Sequence, residues 1–237
     1  MEHFDLRREI IDTALEMNRM GINQGTSGNV SVRVPGGMLI TPSGVPYEEL
    51  GVQDIVFMAS NGEWQAIQGR KPSSEWRFHL DIYNNRPDAG AIVHTHALHC
   101  TALSMLRKDI PACHYMIGFA GGNSVRCADY ATFGTQELSN NALKALEGRR
   151  ACLLANHGMI VFWDTLKRAL WLANEIEVLA SQYWRALQVG EPHILSDEEM
   201  EIIVAKFGSG YGMASKAAEG QPAGKPGPAS RKKASAA

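Results

Sequence analysis

No stretch of this 237-residue chain stays apolar and uncharged for the roughly 18 residues a membrane-spanning helix needs, so no membrane partner is expected. An excess of one charge is also missing. Lys and Arg number 23 against 25 Asp and Glu, a net of −2, and nothing here argues for a nucleic-acid surface. Cysteine is sparse, and the four thiols (Cys100, Cys113, Cys127, Cys152) form no C-x-x-C pair. Reduced thiols in a cytosolic protein are the expected state. Arg7 and Arg8 follow acidic residues, with no apolar segment behind them, so a secretory signal is not expected and the cytoplasm is the expected location. Internal repeats are absent too.

What the chain does have is 45% hydrophobic residues, enough for one substantial core, with a single domain as the default. Residues 4–20 carry Leu6, Ile10, Ala14 and Met17 at helical spacing, closed by Gly21. Strand patterns follow at 29–34 (NVSVRV) and 38–41 (MLIT), separated by a Pro-Gly-Gly turn. DIVFMA (54–59) and EWQAI (63–67) flank Asn61-Gly62, a strong hairpin signal. Ser73 or Ser74 is expected to cap a helix running through residue 85. The run 91–94 reads as a strand, 97–106 as a helix, HYMIGF (114–119) as a strand, and 135–147 as a helix. ACLLA (151–155) and MIVFW (159–163) read as a strand pair, before a long helix over 165–189. Ser196 to Glu199 is a capping box that opens a helix at 197–207. From about 208 the composition turns to Gly, Ala, Ser, Pro and Lys, which cannot bury a core, so a disordered tail is expected through 237. The alternation predicts one α/β domain, a sheet layered with helices.

The chemistry gathers at AIVHTHALHC (91–100). On a strand, alternate side chains share a face, so His94 and His96 point the same way. His157 sits in a Gly-containing turn between two apolar runs, and three imidazoles from neighbouring strand ends would suit Zn²⁺. Glu75, at the start of the KPSSEW helix (71–76), is an attractive fourth group. On spacing alone a second reading stands beside it: three histidines satisfied by backbone hydrogen bonds. His79, four residues after Glu75 on one helix face, reads as a supporting or packing residue. His99 reads as structural, while His3, His114 and His193 have no ligand-like context. Three loops rich in Gly and hydroxyls, QGTSGNVS (24–31), TPSG (41–44) and KPSSE (71–75), are of a kind that binds phosphate, the last at a helix N-terminus.

Taken together, GTSGNVS, TPSG, KPSSEW, HTH and NHG, in this order and at these separations, resemble the class II aldolase/adducin family over roughly residues 2–211. HYMI (114–117), GGNS (121–124) and YATFGT (130–135) place the chain nearest its aldolase branch. The resemblance implies a single α/β catalytic domain over 1–207, its central sheet mostly antiparallel, with a C-terminal segment from 208 that is mobile around Tyr211. It implies one zinc per subunit, held by His94, His96 and His157 with Glu75 as the ligand that substrate displaces. The substrate's phosphate would lie among Gly28, Asn29, Ser43, Gly44, Ser73 and Ser74. Tyr115 and Tyr211 would serve the aldehyde half, and a homotetramer would bring Tyr115 from a neighbouring chain into a site at the subunit interface. The implied reaction is reversible cleavage of a ketose 1-phosphate to dihydroxyacetone phosphate and an aldehyde. L-fuculose 1-phosphate and the 5-deoxy- or 5-methylthio-pentulose 1-phosphates all fit. Phe119, Met116 and Phe133 would suit an apolar end of the substrate, and core packing explains them equally well.

Breaking the C3–C4 bond of a ketose leaves negative charge on the fragment that carries the carbonyl. A Lewis-acid metal or a Schiff-base lysine can stabilise it. Lys71 and Lys144 are the lysines to weigh, and neither lies in an apolar stretch that would depress its pKa. The same scaffold also hosts a pentulose-phosphate 4-epimerase and a methylthioribulose-phosphate dehydratase, and the HYMIGFAGGN stretch favours the aldolase. A non-enzymatic, adducin-like interaction module would lack the metal residues, which are all present here.

Overall fold

The computed structural model describes residues 2–66 and 69–209. Runs that are apolar at every position become central strands, because both faces of such a strand are covered. β4 (Ala91–Thr95) and β8 (Gly158–Trp163) are buried along their whole length and pair antiparallel at the middle of the sheet. β1 (Asn29–Val34), β2 (Gly37–Ile40) and β3 (Val56–Ala59) extend one side; β7 (Ala151–Leu154), β6 (Ser124–Ala128) and the two-residue β5 (Ile110–Pro111) extend the other. The order is β3-β2-β1-β4-β8-β7-β6-β5, antiparallel throughout except for the β6–β7 pair. The expected single α/β domain with a mostly antiparallel sheet is therefore what forms.

The two-residue period of the strands divides the core into two halves. Ala91, Val93, Met159, Val161 and Trp163 face one layer, made by α1 (Phe4–Arg19), α3 (Leu98–Met105) and α5 (Leu166–Val189). Ile92, Ile160 and Phe162 face the other, made by α2 (Trp76–Asn85) and α4 (Gln136–Ala145). Each fully buried aromatic such as Phe162 holds about 3–5 kcal/mol against truncation to alanine. α6 (Asp197–Gly208) packs on the first layer and starts at the Ser196–Glu199 capping box, both halves of which are made.

Several expectations need correction. HYMIGF is not a strand: Tyr115–Ala120 is a 3-10 helix. The His114 ring accepts from the Met116 N–H, and Gly118 lets the turn close on α6, where an added Cβ would meet Ile203 and Phe207 at 3.1 Å. Its apolar residues pack on helices, so burial alone imitates a strand pattern there. The hairpin at Asn61-Gly62 turns as expected, but among the described residues its second arm shrinks to one bridge, Trp64 to Met58. DIVFMA enters the sheet only at Val56, behind a 3-10 turn over Val52–Asp54. Neither Ser73 nor Ser74 caps α2: Glu75 holds the N-cap position, without a side-chain cap. β5 and β6 went unread, since SVRCA carries a Ser and an Arg and two residues make no pattern. Tyr211 and the expected tail lie outside the described residues.

Candidate metal centre

His94 is the last inward residue of β4 on the α2 side, paired in register with Asn29 of β1 and Ile160 of β8. Thr95 turns to the opposite layer and bonds the Ile22 carbonyl and the Ala97 N–H, which fixes the strand exit. His96 then emerges on the same face as His94. His157 comes from the β7–β8 turn, where Asn156 takes a left-handed φ of 55°. Gly158 follows because any Cβ there would meet the Thr95 carbonyl at 2.5 Å and the His96 ring at 3.0 Å. α3 supports this turn from behind: Ser104 accepts from the N–H groups of Asn156 and His157 through its carbonyl and hydroxyl. Sequence reading gave Ser104 no part in the site.

The three rings meet pairwise at 4.9–5.0 Å between centroids, crossed by 72–77°. One ligand atom from each of Glu75, His94, His96 and His157 lies within 4.8 Å of the others. Glu75 Oε2 is 3.1 Å from His94 Nε2, and Oε1 is 3.0 Å from His157 Nε2. His94 Nδ1 lies 2.8 Å from the Met159 carbonyl, which can only accept, so that nitrogen carries the proton and Nε2 of a neutral ring presents a lone pair. That lone pair faces His96 Nε2 at 3.2 Å as well as the carboxylate. Nitrogen and oxygen atoms converging this closely need a shared proton or a cation among them. Glu75 Oε1, buried, makes no aligned hydrogen bond despite its nearness to His157. Three imidazole nitrogens and one carboxylate oxygen match the donor set of a catalytic Zn²⁺ site, so these residues fit the metal.

Electrostatics agree. Burial pushes the Glu75 carboxyl up, and positive charge beside it, at the His94 and His157 rings, outweighs burial and holds it well below the usual carboxylate range, the effect a cation among the ligands would also have. Burial, then repulsion from His94 and His157, pushes His96 down to about 4, so it is neutral at pH 7, the form that ligates a metal. Burial does the same to His79, down to about 3.

The three loops flank this cluster. The Ser43 N–H donates to the Lys71 carbonyl and the Ser73 N–H to the Thr41 carbonyl, both at 3.0 Å, zipping TPSG to KPSSE. Gly44 takes φ +70°, while Ser43 and Ser74 stay exposed. Ser73 is buried and its hydroxyl accepts from the Glu75 N–H. Gly28 has no room for a Cβ, which would meet Asn23 Oδ1 and the His94 carbonyl at 2.6 Å. Asn29 borders the cradle, with its side chain committed to Glu75 and His79.

Tyr115 stands elsewhere. It is 46% exposed, stacks on His114, and meets Phe207 of α6. A cavity of about 500 Å³ beside it is lined by the 113–115 segment, His193, Leu195 and α6, with none of the four ligand residues. Phe119 is core, stacked on Phe207 at 3.9 Å, whereas Phe133 is exposed on the loop that leads to Gly134 against Ser74. His99 lies outside the ligand cluster, with its ring bonded to Glu177.

Comparison with known proteins returns the model of the class II aldolase and adducin N-terminal domain over residues 8–184. L-fuculose phosphate aldolase of Escherichia coli (strain K12) is 56% identical over 214 residues, 90% of this chain and 98% of that one. The 5-methylthioribulose-1-phosphate/5-deoxyribulose-1-phosphate aldolase of Rhodospirillum rubrum is 57% identical over 202 residues, 85% of this chain and 90% of that one. A solved L-fuculose 1-phosphate aldolase superposes with a TM-score of 0.83 at 45% identity, covering 86% of this chain and 96% of the other.

Proposed function

Because the chain belongs to the class II aldolase and adducin family, we propose that it is a metal-dependent aldolase that cleaves a ketose 1-phosphate into dihydroxyacetone phosphate and an aldehyde. The observation that carries this reading is the convergence of buried Glu75 and His94 with half-buried His96 and His157, with one carboxylate oxygen left unbonded. His94, His96 and His157 would hold one zinc per chain, with Glu75 completing the donor set. Zinc, when bound, supplies a Lewis acid that stabilises the charge developing on the carbonyl fragment.

The remaining steps belong to the chain. Gly28, Ser43, Gly44, Ser73 and Ser74 hold the phosphate, beside Asn29, and this binding remote from the reacting bond presents C3 to Glu75. In cleavage the C3–C4 electron pair stays on C3, and Glu75 delivers the proton that C3 takes up. In synthesis Glu75 removes it. Tyr115 handles the C4 oxygen: it gives its phenolic proton to the aldehyde in synthesis and recovers it in cleavage. Its described ring partners, His114 and Phe207, lie outside the cluster, which supports a homotetramer in which a neighbour supplies it, with Tyr211 as a second group on the same half. The cytoplasm, where phosphorylated sugars are made and consumed, is the proposed location.

Two relatives with different aldehyde products are almost equally similar, at 56% and 57% identity, so identity does not choose between them. Steady-state turnover of L-fuculose 1-phosphate, 5-deoxyribulose 1-phosphate and 5-methylthioribulose 1-phosphate by the zinc-loaded enzyme, compared side by side, decides. One should exceed the others in kcat/KM by at least about tenfold, about 1.4 kcal/mol. Absence of dihydroxyacetone phosphate from all three would sink the proposal.

A further inference from the structure

Four side chains behind Glu75 form a continuous hydrogen-bonded line through the core. Asn29 Nδ2 lies 3.0 Å from Glu75 Oε2, and Asn29 Oδ1 lies 2.5 Å from His79 Nε2. His79 Nδ1 lies 2.7 Å from Ser31 Oγ, which lies 2.9 Å from Tyr83 OH. Asn29, Ser31, His79 and Tyr83 are all buried, His79 and Ser31 completely. A buried polar line of this kind is costly unless every member is paired.

The direction of every bond follows from its first member. A carboxylate only accepts, so the Asn29 amide donates to Glu75 and its carbonyl must accept from His79. His79 therefore carries its proton on Nε2, leaving Nδ1 to accept from the Ser31 hydroxyl, whose oxygen in turn accepts from Tyr83. All donors point toward Glu75. Oε2 is thereby held, while Oε1, on the same carboxylate, has no hydrogen bond. We propose that His79 is a positioning residue for the aldol reaction, acting through Asn29 to clamp Glu75 Oε2 and leave Oε1 as the atom that exchanges the C3 proton. This rests on the assignment of Glu75 given above. It explains why a histidine lies buried on α2 one turn beyond the carboxylate, out of reach of the other three rings as a ligand.

The test compares two replacements. His79→Gln keeps a carboxamide N–H that reaches Asn29, whereas His79→Leu keeps bulk and offers no donor. Loss of a partner behind a ligand commonly costs about 10–100-fold, so His79→Leu should lose kcat by that factor with KM nearly unchanged. His79→Gln should recover most of the loss. Thermal midpoint and zinc retention against a chelator, measured on both, report fold and metal apart from turnover. Nitrogen-15 spectra of histidine-labelled wild-type protein should show His79 neutral, protonated at Nε2 and not at Nδ1. Equal kcat losses in both variants, an unchanged kcat in His79→Leu, or the Nδ1–H tautomer would each overturn the proposal. Should His79→Leu fail to fold, the tautomer and His79→Gln decide. A wild-type protein that cleaves no ketose 1-phosphate would break the functional reading instead, and the tautomer would still report whether the line is oriented as drawn.

Discussion

Glu75 and His94 are 5% and 0% exposed, whereas Tyr115, proposed for the other half of the same reaction, is 46% exposed. Around Glu75 every neighbour comes from this chain: β1, β4, the β7–β8 turn and the entry to α2. Around Tyr115 the described residues supply His114 and α6, with an open cavity beside it that His193 and Leu195 also line. A carboxylate buried among imidazoles is tolerable only when its partners are fixed in advance, so that half of the site must be built into the core. A phenol keeps its hydroxyl wet and its ring half covered at little cost, so it can wait on a surface for a second chain. On the proposed assignment, the four metal-ligand candidates gather within one chain, while the described partners of Tyr115 lie outside that cluster.

The largest effect expected is on the closed half. His94→Ala, His96→Ala or His157→Ala should each abolish both bound zinc and turnover, since each leaves an incomplete ligand set. Elemental analysis of the purified variants checks this, and unchanged zinc in any one of them removes that residue from the set. None of the three should disturb Tyr115, whose contacts are with His114 and Phe207.

The closed half was also the more legible one in the sequence. A His-x-His pair at a strand end, a His-Gly turn and a Ser-Ser-Glu helix entry are local patterns, and the strands bearing them are apolar runs with one reading. What pattern could not supply was the depth behind the ligands. The bond from Asn29 to Glu75, the orientation of His79, and the support of His157 by Ser104 span 46, 50 and 53 residues of chain. At Tyr115 the local signal misled, because a run buried by helices carries the same apolar pattern as a run buried in a sheet. β6 failed for the converse reason: an edge-side strand with Ser124 and Arg126 looks polar.

Glu75→Gln tests the boundary between metal binding and proton transfer. The variant should keep part of its zinc through the three histidines. It should lose most carbon–carbon cleavage and most exchange of the C3 proton of dihydroxyacetone phosphate into heavy water. A glutamine can occupy the same space and bond Asn29, but it cannot accept the proton. Wild-type exchange in this variant would place the base elsewhere.

Tyr115→Phe separates the two halves most finely, because it should move one activity and leave the other. Exchange into dihydroxyacetone phosphate alone requires the metal, Glu75 and the phosphate loops, and no aldehyde is present for Tyr115 to serve. Cleavage requires a group on the C4 oxygen. Removing one positioned proton donor lowers a rate by about 10²–10⁴-fold, so cleavage should fall by that factor while exchange stays within about twofold. The ring itself remains, so its contacts with His114 and Phe207 persist and the fold should be unaffected. Were both activities to fall together, Tyr115 would be acting on the dihydroxyacetone phosphate half, and the contrast between a complete and an incomplete half would be wrong. Were neither to fall, another group would carry the C4 proton, and Tyr211→Phe would be the variant to compare.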